Sequence, residues 1–429
     1  MNNKKILFIA YTFPPIPYGG TYRALRLCRG FAEKGIECHV LTIKEYRDIP
    51  NDYLLLKKVP SSVVIHRTRI VDPWRRYQGI KKKFVKKIWF RIFNKFISFS
   101  LRFITFPDHM LFWAPFAVLK ARKVIKDQDI GNVLISSPPD SSQLIGWILK
   151  KWLKVRWIAD FRDPIYGNVA QVHLIDPVNL LDKIHKKLLI KYDKTIAKNA
   201  DLLISNTVTH SRQLQQNYSV KDVQVIRNSY DSMDYSNCDR DKFPILTIAH
   251  VGSIYGKRNP DLLFAAVQKI ATEYAPKPLR LQIVFLGLGG DVLRENIEKF
   301  EIQDYVKIED QVPHHKAIEF MCRAHLLLLI KATGKWSKGQ IPGKFFEYIG
   351  SRNPVLCIGP KESEVASLML DHKLGYVVED NLEEMTGLLR GIYMQYLQTG
   401  AIPMLKSEQI QPFSSAEMVE KMVRAVVQE

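Results

Sequence analysis

Residues 245–260 read ILTIAHVGSIYGKRNP, and this stretch decides the fold. The run Ile245–Val251 is largely apolar without strict alternation, which is typical of a strand covered on both faces. Gly252 begins a glycine-containing loop, the cations Lys257 and Arg258 follow, and Pro260 is suited to the first turn of a helix. A strand, a glycine loop and a helix N-terminus in this order can hold a phosphate group, although the spacing differs from that of a Walker A loop. Solvated charges on a surface loop are the alternative.

Short apolar runs of the same kind recur along the chain and alternate with helical segments. The other runs are Lys5–Tyr11, Cys38–Ile43, Val63–Arg67, Asn132–Ser136, Arg156–Asp160, Asp201–Ser205, Leu281–Leu286, Val306–Ile308, Leu326–Ile330, Pro354–Ile358 and Gly375–Val378. Strands that alternate with helices form βαβ units and parallel, doubly wound sheets. The sequence therefore predicts an α/β protein.

The length of 429 residues is sufficient for two such domains. The polar, aperiodic stretch 230–243 marks the predicted boundary, and a second polar connection lies at 405–415. We predict a first Rossmann-like domain over residues 1–235 and a second over 244–405. A C-terminal helix over 412–429 is expected to cross back to the first domain.

The charge of the chain is concentrated in its first half. The formal net charge is +20, yet residues 236–429 contain 23 Lys and Arg against 24 Asp and Glu. Residues 1–235 contain 40 Lys and Arg against 19 Asp and Glu. A basic half predicts an anionic partner, which could be membrane phospholipid, nucleic acid or a phosphorylated substrate.

The five cysteines indicate a reducing compartment, because their number is odd and none forms a C-x-x-C pair. The apolar run Ile6–Tyr11 is too short for a signal peptide, and Pro14 and Pro15 follow it in place of a cleavage site. We also find no stretch long and apolar enough to span a bilayer. These features predict a cytoplasmic protein.

The stretch Pro73–Pro107 contains ten Lys and Arg and no Asp or Glu. If its second half is wound as a helix at about 100° per residue, a basic arc lies opposite an apolar, largely aromatic face, which Phe84 and Leu101 interrupt. The residues predicted to contact a membrane are Lys83, Lys87, Trp89, Arg91, Phe93, Lys95 and Phe96. A basic arc opposite an aromatic face is typical of a helix in a membrane interface, and a core helix with a solvated basic face is the alternative.

Two further loops of the first half follow predicted strands, where open α/β sheets bind ligands. In Pro14–Gly20, the adjacent Gly19 and Gly20 precede a helix and allow a ligand to approach the backbone. In Asp160–Pro164, two carboxylates flank Arg162 and can orient sugar hydroxyls or act as a base. A plain turn and a structural Arg–Asp cluster are the respective alternatives.

The last loop, Gly339–Tyr348, contains a glycine turn that leads into a helix. Glu347 lies one helical turn inside, where its carboxylate can accept two hydrogen bonds from a ribose diol. Lys344 lies three residues earlier on the same face, within reach of a phosphate. A surface glutamate with no ligand is the alternative.

With these motifs in this order, the chain resembles family 4 of the glycosyltransferases, which have the GT-B fold of two Rossmann-like domains facing a central cleft. Phe13–Gly20 resembles the family's acceptor-side loop, and Gly252–Arg258 its donor-phosphate loop. Gly287–Gly289 and Asp310–Pro313 resemble the loops that line the nucleotide. The resemblance implies that the donor phosphates are bound by Gly252, Ser253, Lys257, Arg258 and Lys344, and the ribose or sugar by Ile341, Pro342, Gly343 and Glu347. It implies that the nucleotide is lined by Gly287, Gly289, Gln311 and Val312, and that Gly19 and Gly20 belong to the acceptor-side loop. Ser136–Pro139 and Asp160–Pro164 resemble a subgroup acting in bacterial surface-polysaccharide assembly.

The resemblance implies a retaining glycosyltransferase that uses a nucleotide-diphosphate sugar and needs no metal ion or other cofactor. Its partners would be that donor, a lipid-linked saccharide acceptor and the anionic inner face of the cell membrane, with no nucleic acid. Asp160, Arg162 and Asp163 would be the catalytic residues. Lipopolysaccharide or capsule assembly would be the process served.

Two positions depart from the family pattern. The first Glu of the Glu-x7-Glu motif would stand at position 339, which is Gly here, and Ser253 occupies the place of an Arg. The first departure affects contacts to the sugar ring, and Arg258 with Lys344 can offset the second. A nucleotide-sugar epimerase and a catalytically silent scaffold of a polysaccharide assembly complex remain alternatives.

Overall fold

The computed structural model describes residues 2–45, 51–72, 103–163, 180–220, 222–254, 258–332, 334 and 337–427. The chain divides into two compact units. The first consists of Met1–Arg227 and Met418–Glu429, and the second of Asn228–Glu417.

The described part of the first unit contains a seven-stranded parallel sheet. Its strands are β1 (Asn2–Ala10), β2 (Glu37–Ile43), β3 (Val64–Thr68), β4 (Ile130–Ser137), β5 (Arg156–Phe161), β6 (Leu202–Ser205) and β7 (Val223–Val225). The order in the sheet is β3-β2-β1-β4-β5-β6-β7, so the winding direction reverses between β1 and β4. Ligands of open α/β sheets bind at the carboxyl ends of the strands beside such a reversal.

Helices cover both faces of this sheet. They are α1 (Gly19–Glu33), α2 (Tyr53–Lys57), α3 (Ala114–Gln128), α4 (Ser142–Leu153), α5 (Leu180–Asn199) and α6 (Val208–Tyr218). Side chains of a strand alternate between faces, so Leu7 and Ile9 pack with α3 and α4, whereas Ile6 and Phe8 pack with α1. This double coverage explains why the strands are continuously apolar.

In the second unit, a parallel sheet of six strands is present among the described residues. They are β8 (Leu246–Val251), β9 (Leu281–Leu286), β10 (Val306–Glu309), β11 (Leu326–Ile330), β12 (Val355–Ile358) and β13 (Gly375–Val378). Their order is β10-β9-β8-β11-β12-β13, and the reversal falls between β8 and β11.

The helices of this unit again lie on both faces of the sheet. They are α7 (Asp261–Tyr274), α8 (Arg294–Lys299), α9 (His314–Arg323), α10 (Gly343–Gly350), α11 (Glu364–Asp371), α12 (Leu382–Thr399) and α13 (Ser407–Ile410). One apolar cluster joins the sheet to α7 and α12, and a second joins it to α9, α10 and α11.

The last helix, α14 (Ser415–Val427), packs on the first unit. A Cβ added at Gly30 of α1 would lie 2.3 Å from Val419, so only a glycine allows the two helices to approach this closely. Among the described residues, no helix is long and apolar enough to cross a membrane.

The predicted α/β class is confirmed, and every predicted apolar run coincides with a strand to within a few residues. The short edge strand β7 was not predicted. Residues 73–102, which include all the predicted membrane-contacting residues, and Lys257 lie outside the described residues.

Candidate functional site

Two glycine loops meet at the carboxyl ends of β8 and β9. Gly252 donates its N–H to Leu286 O at 2.8 Å, and Ile254 donates to Leu288 O at 2.9 Å. Gly287 and Gly289 both have positive φ. A Cβ added at Gly287 would lie 2.8 Å from the Gly252 carbonyl carbon, and one added at Gly289 would lie 2.2 Å from Ile254 O. These positions require glycine because the two backbones are in direct contact.

Lys344, in the first turn of α10, lies against the phosphate loop predicted after β8. Its Nζ is 3.0 Å from His250 Nε2, and a Cβ added at Gly252 would lie 3.0 Å from the same Nζ. His250 Nδ1 lies 2.9 Å from Leu328 O on β11. A carbonyl oxygen only accepts, so Nδ1 carries the proton and Nε2 accepts from the lysine. His250 therefore positions Lys344, a role that sequence reasoning missed.

Burial changes the ionisation of both partners. Burial, with the nearby Lys344, lowers the pKa of His250 to about 3, so the imidazole is neutral. Burial, with the nearby Arg258, lowers the pKa of Lys344 to about 7. The negative charge near Lys344 is too small to keep the pKa of its ammonium at the usual value, and a bound anion would raise that pKa.

Glu347 lies one turn further along α10, as predicted. Its Oε1 is 3.1 Å from His314 Nε2 at the start of α9, and both side chains are about a quarter exposed. The imidazole holds the carboxylate in one orientation at the surface of the site. His314 follows the loop predicted to line the nucleotide, and sequence reasoning missed its contact with Glu347.

A pocket of about 830 Å³ opens at the carboxyl ends of β8, β11, β12 and β13, a size typical of small-ligand sites. Arg258, Lys331, Gly359 and Glu379 are among its lining residues. The buried Lys331 donates to the carbonyls of Ser337 and Gln340, and burial lowers its pKa to about 8. Lys331 thus secures the loop that leads into α10, which the sequence did not reveal.

The other predicted donor residues occupy distinct positions around α10 and β10. Ile341 is buried in the apolar cluster, so it anchors the loop rather than facing a ligand. Pro342 precedes the helix and has no side-chain acceptor for the N–H groups of the first turn. Gly343 is exposed, and nothing lies within 4 Å of an added Cβ. Gln311 is exposed and Val312 half-buried, on the loop after β10.

In the first unit, Arg162 joins three loops at the carboxyl edge of the sheet. Its guanidinium donates to Ser137 O at 3.2 Å and to Pro138 O at 2.8 Å. A Cβ added at Gly20 would lie 2.5 Å from the same guanidinium. The loops after β1, β4 and β5 therefore meet here, and burial lowers the pKa of Arg162 from its usual value.

Asp160, which is predicted to be catalytic, is bound at this edge by side chains of other elements. It is fully buried, and Arg23 of α1 donates to both carboxylate oxygens at 3.1 and 2.8 Å. Ser136 Oγ donates to the same carboxylate at 3.0 Å. Burial raises the pKa of Asp163, with Arg162 opposing the shift.

Beside Arg162, buried carboxyl groups form a second feature that sequence reasoning missed. Burial raises the pKa of Asp140, and Asp108, Asp193 and Asp163 raise it further. Asp108 accepts hydrogen bonds from Ser141 N at 2.7 Å and Oγ at 2.8 Å. Burial raises the pKa of Asp193 to about 7, although Tyr218 donates to it at 2.8 Å. Burial thus favours the protonated form of these carboxyl groups in the folded chain.

Asp193 allows a prediction for stability. Its pKa rises from 3.8 in the unfolded chain to about 7, so its contribution to stability is complete below pH 3.8 and is lost as pH rises through 7. Asp193→Asn cannot ionise, and Asn still accepts from Tyr218. We expect the variant to exceed the wild type in free energy of unfolding by about 4 kcal/mol at pH 9 and by about 2 kcal/mol at pH 5. Urea unfolding at both pH values measures the difference. The exposed Asp127→Asn is the control, and an equal effect at both pH values would contradict the prediction.

Comparison with known proteins identifies the fold. The amino-acid sequence matches no protein-family model and no curated protein sequence. Sucrose-phosphate synthase from Thermosynechococcus elongatus is similar in structure, with a TM-score of 0.64, 12% identity and 99% and 98% of the two chains covered. WaaG, a glycosyltransferase involved in lipopolysaccharide biosynthesis, has a TM-score of 0.57 at 14% identity and covers 99% and 100%. TarM has a TM-score of 0.63 at 13% identity and covers 99% of each chain. The chain therefore has the GT-B fold.

Proposed function

We propose that this chain is a family 4 glycosyltransferase that moves a sugar from a nucleotide-diphosphate sugar to a lipid-linked saccharide acceptor. The observation that carries the proposal is the placement of Lys344 against Gly252, with Glu347 one turn away. A cation beside an open glycine loop suits a diphosphate, and a carboxylate at that distance suits the ribose. The similarity in fold to WaaG, which is a glycosyltransferase, supports this proposal.

In the proposed reaction, the bond from the sugar to the donor diphosphate breaks and a bond to an acceptor hydroxyl forms. Lys344, Arg258 and the N-terminus of α10 stabilise the negative charge that develops on the leaving diphosphate. We infer that these groups replace a metal ion, and that transfer retains the anomeric configuration. His250 keeps Lys344 directed at the loop during this step.

The first unit would receive the acceptor. Gly19 leaves the start of its first helix open to a ligand, whereas Arg162 fills the space beside Gly20 and holds the surrounding loops together. Asp163 would accept the proton of the acceptor hydroxyl, because burial raises its pKa and makes its carboxylate a stronger base. Asp163→Asn should then lower kcat while leaving donor binding unchanged.

The basic first half of the chain supports attachment to the cytoplasmic face of the cell membrane. Cell-surface polysaccharide assembly, such as that of lipopolysaccharide or capsule, would provide lipid-linked acceptors there. The stretch Pro73–Pro107 would contribute through its lysines and aromatic residues, at about 1 kcal/mol for each well-placed cation. Replacing Lys83, Lys87, Arg91 and Lys95 with Gln should then weaken binding to anionic vesicles.

A panel of nucleotides and nucleotide sugars tests the proposal. A cognate nucleotide at 100 times its dissociation constant should stabilise the chain by about 2.7 kcal/mol in a thermal-shift assay. Radiolabelled nucleotide sugars with a polyprenyl-linked acceptor then measure transfer. Labelled lipid supports a transferase, an isomerised soluble sugar indicates an epimerase, and binding without either product indicates a scaffold.

A further inference from the structure

Helix α5 (Leu180–Asn199) has an exposed apolar stripe. Leu180, Leu181, Ile184 and Leu188 are 70%, 44%, 40% and 39% exposed. At about 100° per residue, these four side chains fall within one arc of about 100°. The buried side chains lie on a different arc and are Asp182, His185, Leu189, Asp193, Ile196 and Ala197. The helix therefore buries one face and presents a second apolar surface to its surroundings.

Cations flank this stripe. The helix contains six lysines, which are Lys183, Lys186, Lys187, Lys191, Lys194 and Lys198. Five of them are exposed and Lys186 is half-buried, whereas both acids of the helix, Asp182 and Asp193, are buried. The exposed face thus combines aliphatic side chains with charge of a single sign.

A shallow groove of about 250 Å³ extends the stripe toward α4 (Ser142–Leu153). Leu188 belongs to both the stripe and the groove. The groove is lined by Phe106, Leu144, Trp147, Leu188, Lys191, Tyr192, Thr195 and Ile196. Lys151 of α4 lies 3.8 Å from the centre of the Trp147 ring, so a cation also stands beside the groove. Aromatic rings next to cations suit the interface between headgroups and acyl chains.

We propose that α5, with the groove beside α4, rests on an anionic lipid bilayer. The stripe would enter the acyl boundary while the lysines contact phosphate headgroups. A nucleic acid would use the lysines but gives no reason for exposed leucines. This surface rests on the proposed membrane function, but the residues that carry it lie outside Pro73–Pro107, except for Phe106 at the edge of the groove.

The test is co-sedimentation of the full chain with vesicles of phosphatidylglycerol and phosphatidylcholine at low and high salt. Lys187→Gln/Lys191→Gln/Lys194→Gln should lower the partition coefficient at least about tenfold at low salt. Ile184→Gln/Leu188→Gln should lower it about tenfold at high salt as well, because apolar insertion is not screened. Both sets of side chains are exposed, so the fold should persist.

The matched control is Leu370→Gln/Leu397→Gln, which replaces two exposed leucines of the second unit. It should bind vesicles like the wild type. If the α5 variants bind normally while the variant of Lys83, Lys87, Arg91 and Lys95 does not, this surface is not the contact, although membrane attachment stands. If the wild type does not bind anionic vesicles, both the α5 surface and the proposed membrane attachment are contradicted. A change of oligomeric state in the α5 variants with vesicle binding intact would assign the surface to a protein contact and overturn the proposal.

Discussion

Lys344→Met is expected to weaken the binding of a nucleoside diphosphate about 100-fold and that of the matching nucleoside less than about threefold. The reason is the position of Nζ, which stands 3.0 Å from a Cβ added at Gly252, inside the loop proposed to hold the diphosphate. A nucleoside lacks the phosphates and therefore loses little. The nucleotide panel identifies the base, and isothermal titration with its nucleoside diphosphate and with its nucleoside measures both affinities.

The control for this substitution is Lys361→Met. Lys361 is an exposed lysine of the same unit that pairs with Glu384 at 2.8 Å. Lys361→Met makes the same exchange of side chains away from the site and should leave both affinities unchanged. If Lys344→Met weakens nucleoside and diphosphate equally, Lys344 does not contact phosphate and the assignment fails.

The ionisation of Lys344 adds a pH dependence to the same experiment. With a pKa of about 7, the side chain is charged below pH 7 and largely neutral at pH 8.5. An anion binds the charged form, so binding above pH 7 takes up a proton, and the affinity should fall by up to about tenfold per pH unit. Lys344→Met should flatten this profile. Titrations in buffers of different ionisation enthalpy detect the proton directly.

The sheets were predictable because parallel strands buried on both faces must be continuously apolar. Leu326–Ile330 is an example in which every residue is buried. Strand β7 (Val223–Val225) was missed because it has three half-buried residues and lies at the edge of its sheet. A strand so short and partly exposed needs no apolar run.

The site was predictable only where its residues are neighbours in sequence. Lys344 and Glu347 stand one helical turn apart, so a local pattern reveals them. Their partners come from other elements: His250 from β8, and His314 from α9. Asp160 is a further example, because the arginine that binds it, Arg23, lies on a helix far earlier in the chain. Side-chain partners of this kind depend on how strands are ordered in the sheet, which local patterns do not specify.

Glu347→Ala is expected to lower kcat/KM about 30- to 1000-fold, which corresponds to a rise of about 2–4 kcal/mol in activation free energy. The carboxylate is about a quarter exposed and is oriented by His314, so it is prepared to accept hydrogen bonds from the two ribose hydroxyls. The wild type should consequently bind a ribonucleotide more tightly than the 2′-deoxyribonucleotide. The variant should lose most of that preference.

The ribose preference separates a ligand contact from a structural role. Loss of the pair with His314 could disturb α10 and α9, and such damage would weaken both nucleotides alike. Glu347→Gln addresses this point, because the amide oxygen can still accept from His314 while the negative charge is gone. Glu319→Gln on α9, where Glu319 pairs with Lys316 at 2.8 Å, is the control and should behave like the wild type. If Glu347→Ala is folded and keeps both its activity and its preference for ribose, Glu347 does not bind the donor, and the ribose contact must come from another element.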